Sequence, residues 1–235
     1  MTQKEVNTLR QDFIAFSKSK NIPEKEIQKI IGPANYVSPM IIEERPMNIA
    51  ALDVFSRLMM DRIIYFTGEV ETESCKTITA QLLYLDSIEH KDISIYINSP
   101  GGEVYSGFGL IDTMNFIKSN VSTTCIGMAA SMAANILACG TKGLRSATKH
   151  SRVMIHQVIT SSGYVQASDF EIENNELQKT KKQLIELLVD ATGKPYKTIE
   201  KDEDRNFWMT AEDAKKYGII DKVIETTNVK KPISK

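Results

Sequence analysis

From Pro39 onward the chain alternates short runs rich in β-branched and aromatic residues with longer amphipathic stretches, and that alternation confines it to an α/β fold. The runs IIYFTG at 63–68, ISIYIN at 93–98, STTCIG at 122–127 and RVMIHQ at 152–157 are predicted strands. Between them, Ser74–Ser87, Glu103–Lys118 and Ser131–Ala138 have helical periodicity. These connections are long enough for right-handed crossovers between parallel strands. Past His156 comes a polar segment, VITSSGYVQ, and then one long helix predicted from about Gln166 to Ala191, stopped by Thr192-Gly193-Lys194-Pro195. Residues 1–35 read as a helical extension, with Val6, Leu9, Phe13 and Phe16 at helical spacing and Gly32 as a stop.

Composition narrows the class of function. A formal net charge of -1 and 25% charged residues give no polyelectrolyte signal, so nucleic acid is not an expected partner. Cys75, Cys125 and Cys139 form neither a CxxC pair nor an even framework, which fits a reducing compartment. The opening residues mix Lys4, Glu5, Arg10 and Asp12 where a secretory leader would be apolar, and no apolar run reaches the roughly 20 residues of a membrane helix. The expectation is a cytoplasmic protein without a membrane span.

Three places hold candidate chemistry. In GMAASMAAN, Gly127–Asn135, a single hydroxyl stands among small residues at a predicted strand-to-helix turn. Ser131 is there either a helix N-cap or a nucleophile beside free helix amides. In INSPGGEV a strand runs through Gly101-Gly102 directly into a helix, exposing backbone amides to an oxyanion or, alternatively, a phosphate; no Lys-Ser or Lys-Thr follows to complete a phosphate loop. Of the three histidines, His90 and His150 lie in polar contexts, whereas His156 closes an apolar strand. It is either a hydrogen-bonded core residue or a base at the carboxyl end of a strand, where chemistry collects in α/β sheets.

These segments resemble the proteolytic subunits of the Clp protease, the ClpP family. INSPGG at 97–102, GMAASMAA at 127–134, SRVMIHQ at 151–157 and MTAEDAKKYGIIDKVI at 209–224 carry the resemblance, which runs from about Tyr36 to Glu225. It implies a ClpP/crotonase-like superhelix of repeated β-β-α units with a long handle helix, spanning residues 36–228 between the 1–35 extension and a basic tail at 229–235. It further implies a serine endopeptidase with Ser131 as nucleophile, His156 as general base and the amides of Gly102 and Met132 as oxyanion hole. No cofactor or metal is implied. The expected partners are unfolded polypeptides, a Clp-family AAA+ ATPase docked at Leu82, Leu83, Tyr96 and Phe116, and further copies in two stacked heptameric rings, or a paralogue in a mixed ring. A weakly active subunit completing such a mixed ring is the alternative function; acyl-CoA chemistry on the related crotonase fold does not need the serine and histidine.

The chain departs from the family pattern in three places. The family's catalytic aspartate falls in DRDFWM, and this chain reads DRNFWM, which puts Asn206 there and makes the triad Ser-His-Asn. The Pro and Gly-Gly pair that usually follow MIHQ are replaced by Val158 to Gly163. Ser94, Thr124 and Ser146 stand where many members carry larger apolar groups in the docking clefts.

Overall fold

The computed structural model describes residues 40–45, 48–160 and 166–225, together with two isolated helical positions, 15 and 18. The rest of the expected 1–35 extension and the whole 229–235 tail lie outside the described residues. The chain divides into two compact units, 1–54 and 55–235. In the first, β1 (Met40–Arg45) and β2 (Asn48–Asp53) form an antiparallel hairpin, paired from Met40↔Asp53 to Arg45↔Asn48.

In the second unit the β-rich runs become a seven-stranded mixed sheet. Its first strands are β3 (Ile63–Thr67), β4 (Ile93–Ser99) and β5 (Val121–Ala130), followed by β6 (Arg145–Thr148) and β7 (Arg152–Ile155). β8 (Phe207–Thr210) and β9 (Lys222–Ile224) complete it. Strand periodicity places Ile93, Ile95 and Ile97 of β4 on one face, and all three are fully buried. The helices are α1 (Val54–Met60), α2 (Thr72–Ile88), α3 (Val104–Phe116) and α4 (Met132–Ala138), then α5 (Ala167–Thr192), α6 (Tyr196–Asp202) and α7 (Ala211–Tyr217). α2 and α3 are the crossovers that make β3, β4 and β5 parallel, as their lengths require.

β5 is longer than the predicted 122–127 and serves two partners in succession. Its first half pairs with β6 at Thr123–Cys125, and its second half pairs with β7 at Met128–Ala130. The change coincides with a register shift against β4, where Ile97↔Cys125 is followed by Ser99↔Ala129. Two extra residues on β5 are absorbed there, around Gly127 at φ +89°. The bulge bends the end of β5 away from β6 and toward β7, the strand that leads to His156. β6 is fixed to β9 by Arg145, 3% exposed, whose guanidinium donates to both Asp221 carboxylate oxygens.

Candidate active site

The sheet brings the three candidate segments to one edge through register alone. β4, β5 and β7 run parallel, so Ser99-Pro100-Gly101-Gly102, Ser131 and His156 all follow the carboxyl ends of adjacent strands. Ser131 donates its backbone N–H to the Met154 carbonyl (2.8 Å), which fastens the end of β5 two residues before His156. β8 runs antiparallel to β7 with pairs from Arg152↔Thr210 to Ile155↔Phe207. His156 immediately follows β7 and Asn206 immediately precedes β8, and the two line one hollow. The turn that follows is held by Gln157, whose N–H donates to the Glu203 carbonyl (2.6 Å) and whose Nε2 donates to the Asp204 carbonyl (3.0 Å).

Ser131 occupies φ 55°, ψ -128°, one of two described non-glycine residues with positive φ. An ordinary N-cap has extended backbone and accepts a hydrogen bond through its side chain. Ser131 does neither, so the capping reading is set aside. A backbone held in this sparsely populated region costs about 1–3 kcal/mol and persists only where its surroundings enforce it. The conformation is that of a nucleophile elbow, a sharp turn between strand and helix, reached here without the usual flanking glycines. Ala129, Ala130, Ala133 and Ala134 are buried and leave room for it.

The glycine pair of the SPGG turn is required by contact with this elbow. A Cβ on Gly101 would stand 2.6 Å from both the Ser131 Cβ and the Ala130 carbonyl oxygen. One on Gly102 would collide with the Val70 carbonyl. Gly102 forms an isolated parallel bridge with Val70, in which Val70 N–H donates to Gly101 (2.9 Å) and Glu103 N–H donates to Val70 (2.7 Å). In a parallel bridge these flanking groups make the bonds, so the amide of Gly102 itself stays off the bridge. The Met132 amide is the first of α4 and has no acceptor within the helix.

A cavity of about 190 Å³ is lined by Gly102, Ser131, Met132, Asn135 and His156, with Val104, Val158 and Leu184 among its apolar walls. A second hollow of about 410 Å³ is lined by His156, Gln157, Asp204 and Asn206. His156 borders both. Burial disfavours its charged form and lowers its pKa, so the ring is neutral near pH 7 and able to accept a proton. No hydrogen bond joins His156 to Ser131 or Asn206 among the described residues. Catalytic hydrogen bonds are commonly open before substrate binds.

Four of the expected site residues, Ser131, His156, Gly102 and Met132, share one cavity, and Asn206 shares the neighbouring one with His156. The expected docking residues divide. Leu83 and Phe116 are exposed and Tyr96 is partly so, but Leu82 is fully buried in the core. Its helical position turns it inward, which corrects its placement on a docking surface. Thr124 and Ser146 are also buried, sharing a hydrogen bond of 2.9 Å between β5 and β6. Two buried polar residues, one lining the cavity and one behind Gln157, went unnoticed in the sequence. Asn135 signalled itself only as the one polar residue in Met132–Ala138. Glu203 is 2% exposed, and burial pushes its carboxyl up to about 7 against the opposing pull of Lys181.

An α/β sheet edge that gathers a serine on a strained elbow, a neutral histidine and two unengaged amides defines a protein of the serine hydrolase class. The family model for Clp protease matches residues 46–227. The ATP-dependent Clp protease proteolytic subunit of Bacteroides fragilis is 55% identical over 196 residues, 83% of this chain and 94% of that protein. Those of Porphyromonas gingivalis and Bacteroides thetaiotaomicron are 54% and 55% identical, with 86% and 89% of their lengths covered. The chain belongs to the Clp protease family.

Proposed function

We propose that this protein is the serine endopeptidase subunit of an ATP-dependent Clp protease, with Ser131, His156 and Asn206 as its catalytic residues. The observation that supports this reading is convergence: Ser131 and His156 line one cavity with Gly102 and Met132, and His156 lines a second with Asn206. A peptide would lie extended between the backbone after Gly102 and the segment after Gln157, held mainly by main-chain hydrogen bonds. Its scissile carbonyl then faces Ser131.

As Ser131 Oγ attacks that carbon, His156 Nε2 takes the hydroxyl proton, and the carbonyl oxygen becomes an oxyanion facing the amides of Gly102 and Met132. The C–N bond breaks as the imidazolium returns the proton to the departing amine, which leaves an acyl-Ser131 ester. Water, deprotonated by the same imidazole, attacks the ester; the bond to Ser131 Oγ breaks as the imidazolium returns that proton to it, which releases the acid and restores the serine and the neutral histidine. The Asn206 carbonyl oxygen accepts the Nδ1 proton and fixes the tautomer, but it brings no negative charge to the imidazolium.

Leu83, Tyr96 and Phe116 are the proposed contacts for a Clp-family AAA+ ATPase that delivers unfolded chains. Further copies of the protein assemble with it through α5. Residues 167–176 of this helix are exposed on every face, including Phe170 at 53% and Ile172 at 65%, and burial begins only in its second half. A helix that leaves such residues uncovered needs a partner surface. Two stacked rings of seven, interlocked by these helices, satisfy that need. The test is hydrolysis of an unfolded protein by the assembled full chain with its ATPase and ATP. Turnover that disappears in Ser131→Ala supports the proposal, and equal turnover by the variant refutes it.

A further inference from the structure

The cavity beside Ser131 is apolar on most of its wall, yet Asn135, which lines it, carries a buried oxygen that has no partner. Asn135 is 5% exposed and lines this cavity, and its Oδ1 is the sole buried side-chain nitrogen or oxygen among the described residues that lacks a hydrogen bond. Its orientation is set by the Ser131 carbonyl, which accepts from Asn135 Nδ2 at 3.4 Å. Turning the amide over would put two acceptors face to face, so the nitrogen belongs on Ser131 and the oxygen is left over. Buried carbonyl oxygens are almost always paired, and an unpaired one beside a reacting centre marks a place for a donor from the ligand.

We propose that Asn135 is a specificity-determining residue that selects, at the position just before the scissile bond, a side chain able to donate a neutral hydrogen bond, above all the carboxamide of Gln or Asn. The inference rests on the peptidase reading given above. With the scissile carbonyl at Ser131 and its oxygen toward Gly102 and Met132, the side chain of the residue that bears this carbonyl lies in the same 190 Å³ cavity, which Asn135 also lines. A cavity of roughly 150 Å³ holds a benzene molecule, so this one admits a single side chain of intermediate size. Val104, Val158 and Leu184 contact its methylene groups, and Asn135 Oδ1 accepts from its terminal N–H. A lysine ammonium is disfavoured, because one neutral acceptor does not repay the burial of a charge. Purely apolar side chains of equal size fit the walls but leave Oδ1 unpaired. A site built to hydrogen-bond its substrate discriminates against an analogue without the donor far more sharply than it discriminates by shape.

The experiment compares matched fluorogenic peptides with Gln or Met, and with Asn or Leu, before the scissile bond, cleaved by the assembled full chain. The expected kcat/KM favours Gln over Met and Asn over Leu by about ten-fold or more. The near-isosteric Asn135→Leu reverses both ratios. A ratio within one protein is insensitive to how much of it is active, and the parent's ratios stand as a test even if the variant does not fold. Hydrolysis of all four peptides with ratios near or below one in the parent, or with ratios unchanged in the variant, overturns the role of Asn135 while leaving the peptidase intact. Failure to cleave any peptide together with failure of Ser131 to react with a fluorophosphonate overturns the peptidase reading, and the inference with it.

Discussion

Replacing Asn206 with Asp should accelerate peptide hydrolysis, and the structure bounds the gain. Residue 206 lines the same hollow as His156. A carboxylate acts on a neighbouring ring over roughly 4–6 Å, and about 5 Å is taken for the imidazole that becomes cationic in the transition state. At an effective dielectric of 20 its attraction is about 3 kcal/mol. Asn206 is exposed, so solvent screening reduces that figure to roughly 1–2 kcal/mol, a rate gain of about 5- to 30-fold. In trypsin-type triads the reverse substitution costs about 10⁴, but through a wrong histidine tautomer, which an asparagine presenting its oxygen avoids. The assay is kcat/KM for a fluorogenic peptide from pH 5 to 9, with native mass measured alongside. Asn206→Asp should raise the plateau and move the acid limb upward, since the added charge favours imidazolium. A correctly assembled variant with an equal or lower plateau would show that the missing charge does not limit the reaction, and would direct attention to the altered segment after Gln157.

In the parent protein, burial lowers the His156 pKa, so the acid limb of kcat/KM should have its midpoint below the ordinary histidine value of about 6.5; a midpoint above that value would contradict a desolvated base. Glu203 is the opposite case, with its pKa raised by burial to about 7. The folded state then binds more protons than the unfolded state between about pH 4.5 and 7. The protonated acid's contribution is whole below that window, is lost as pH rises through it, and is absent at pH 8. Glu203→Gln should therefore raise the Tm at pH 8, by up to about 3 kcal/mol of stability, and should change it little at pH 4.5. Equal effects at the two pH values, read by thermal unfolding, would refute this. Charging the uncovered half of α5 with the double substitution Phe170→Glu and Ile172→Glu should weaken assembly, read by sedimentation, while leaving the thermal stability of the subunit within about 1 kcal/mol. An unchanged sedimentation profile would remove these two side chains from the interface.

Much of the sheet was legible because buried parallel strands are dense in β-branched residues: Ile63, Ile93, Ile95 and Val153 all lie in strands anticipated within a few residues. The short strands were not. β8, Phe207–Thr210, has only Met209 buried and takes its conformation from antiparallel pairing with β7, a tertiary contact that local pattern does not encode. That strand also begins just after Asn206, which lines a hollow with His156, so the proposed third residue was available only through the family motif. His156 was expected at the end of a strand and falls one residue past it. Ser131 offered two readings because serine favours N-caps; only its backbone angles and the absence of a capping bond separate them. The buried turn of Leu82 and the unpaired oxygen of Asn135 depend on which way a helix faces, which the sequence leaves open wherever apolar residues surround it.

The reactivity of one hydroxyl, that of Ser131, decides whether this subunit is a serine peptidase. The full chain should be treated with a fluorophosphonate, digested and read by mass spectrometry, alongside Ser131→Ala and His156→Ala. The prediction is a single stoichiometric phosphonyl adduct on Ser131, absent from the first variant and formed far more slowly in the second. An adduct on another serine, or labelling of Ser131→Ala at the parent rate, would contradict it.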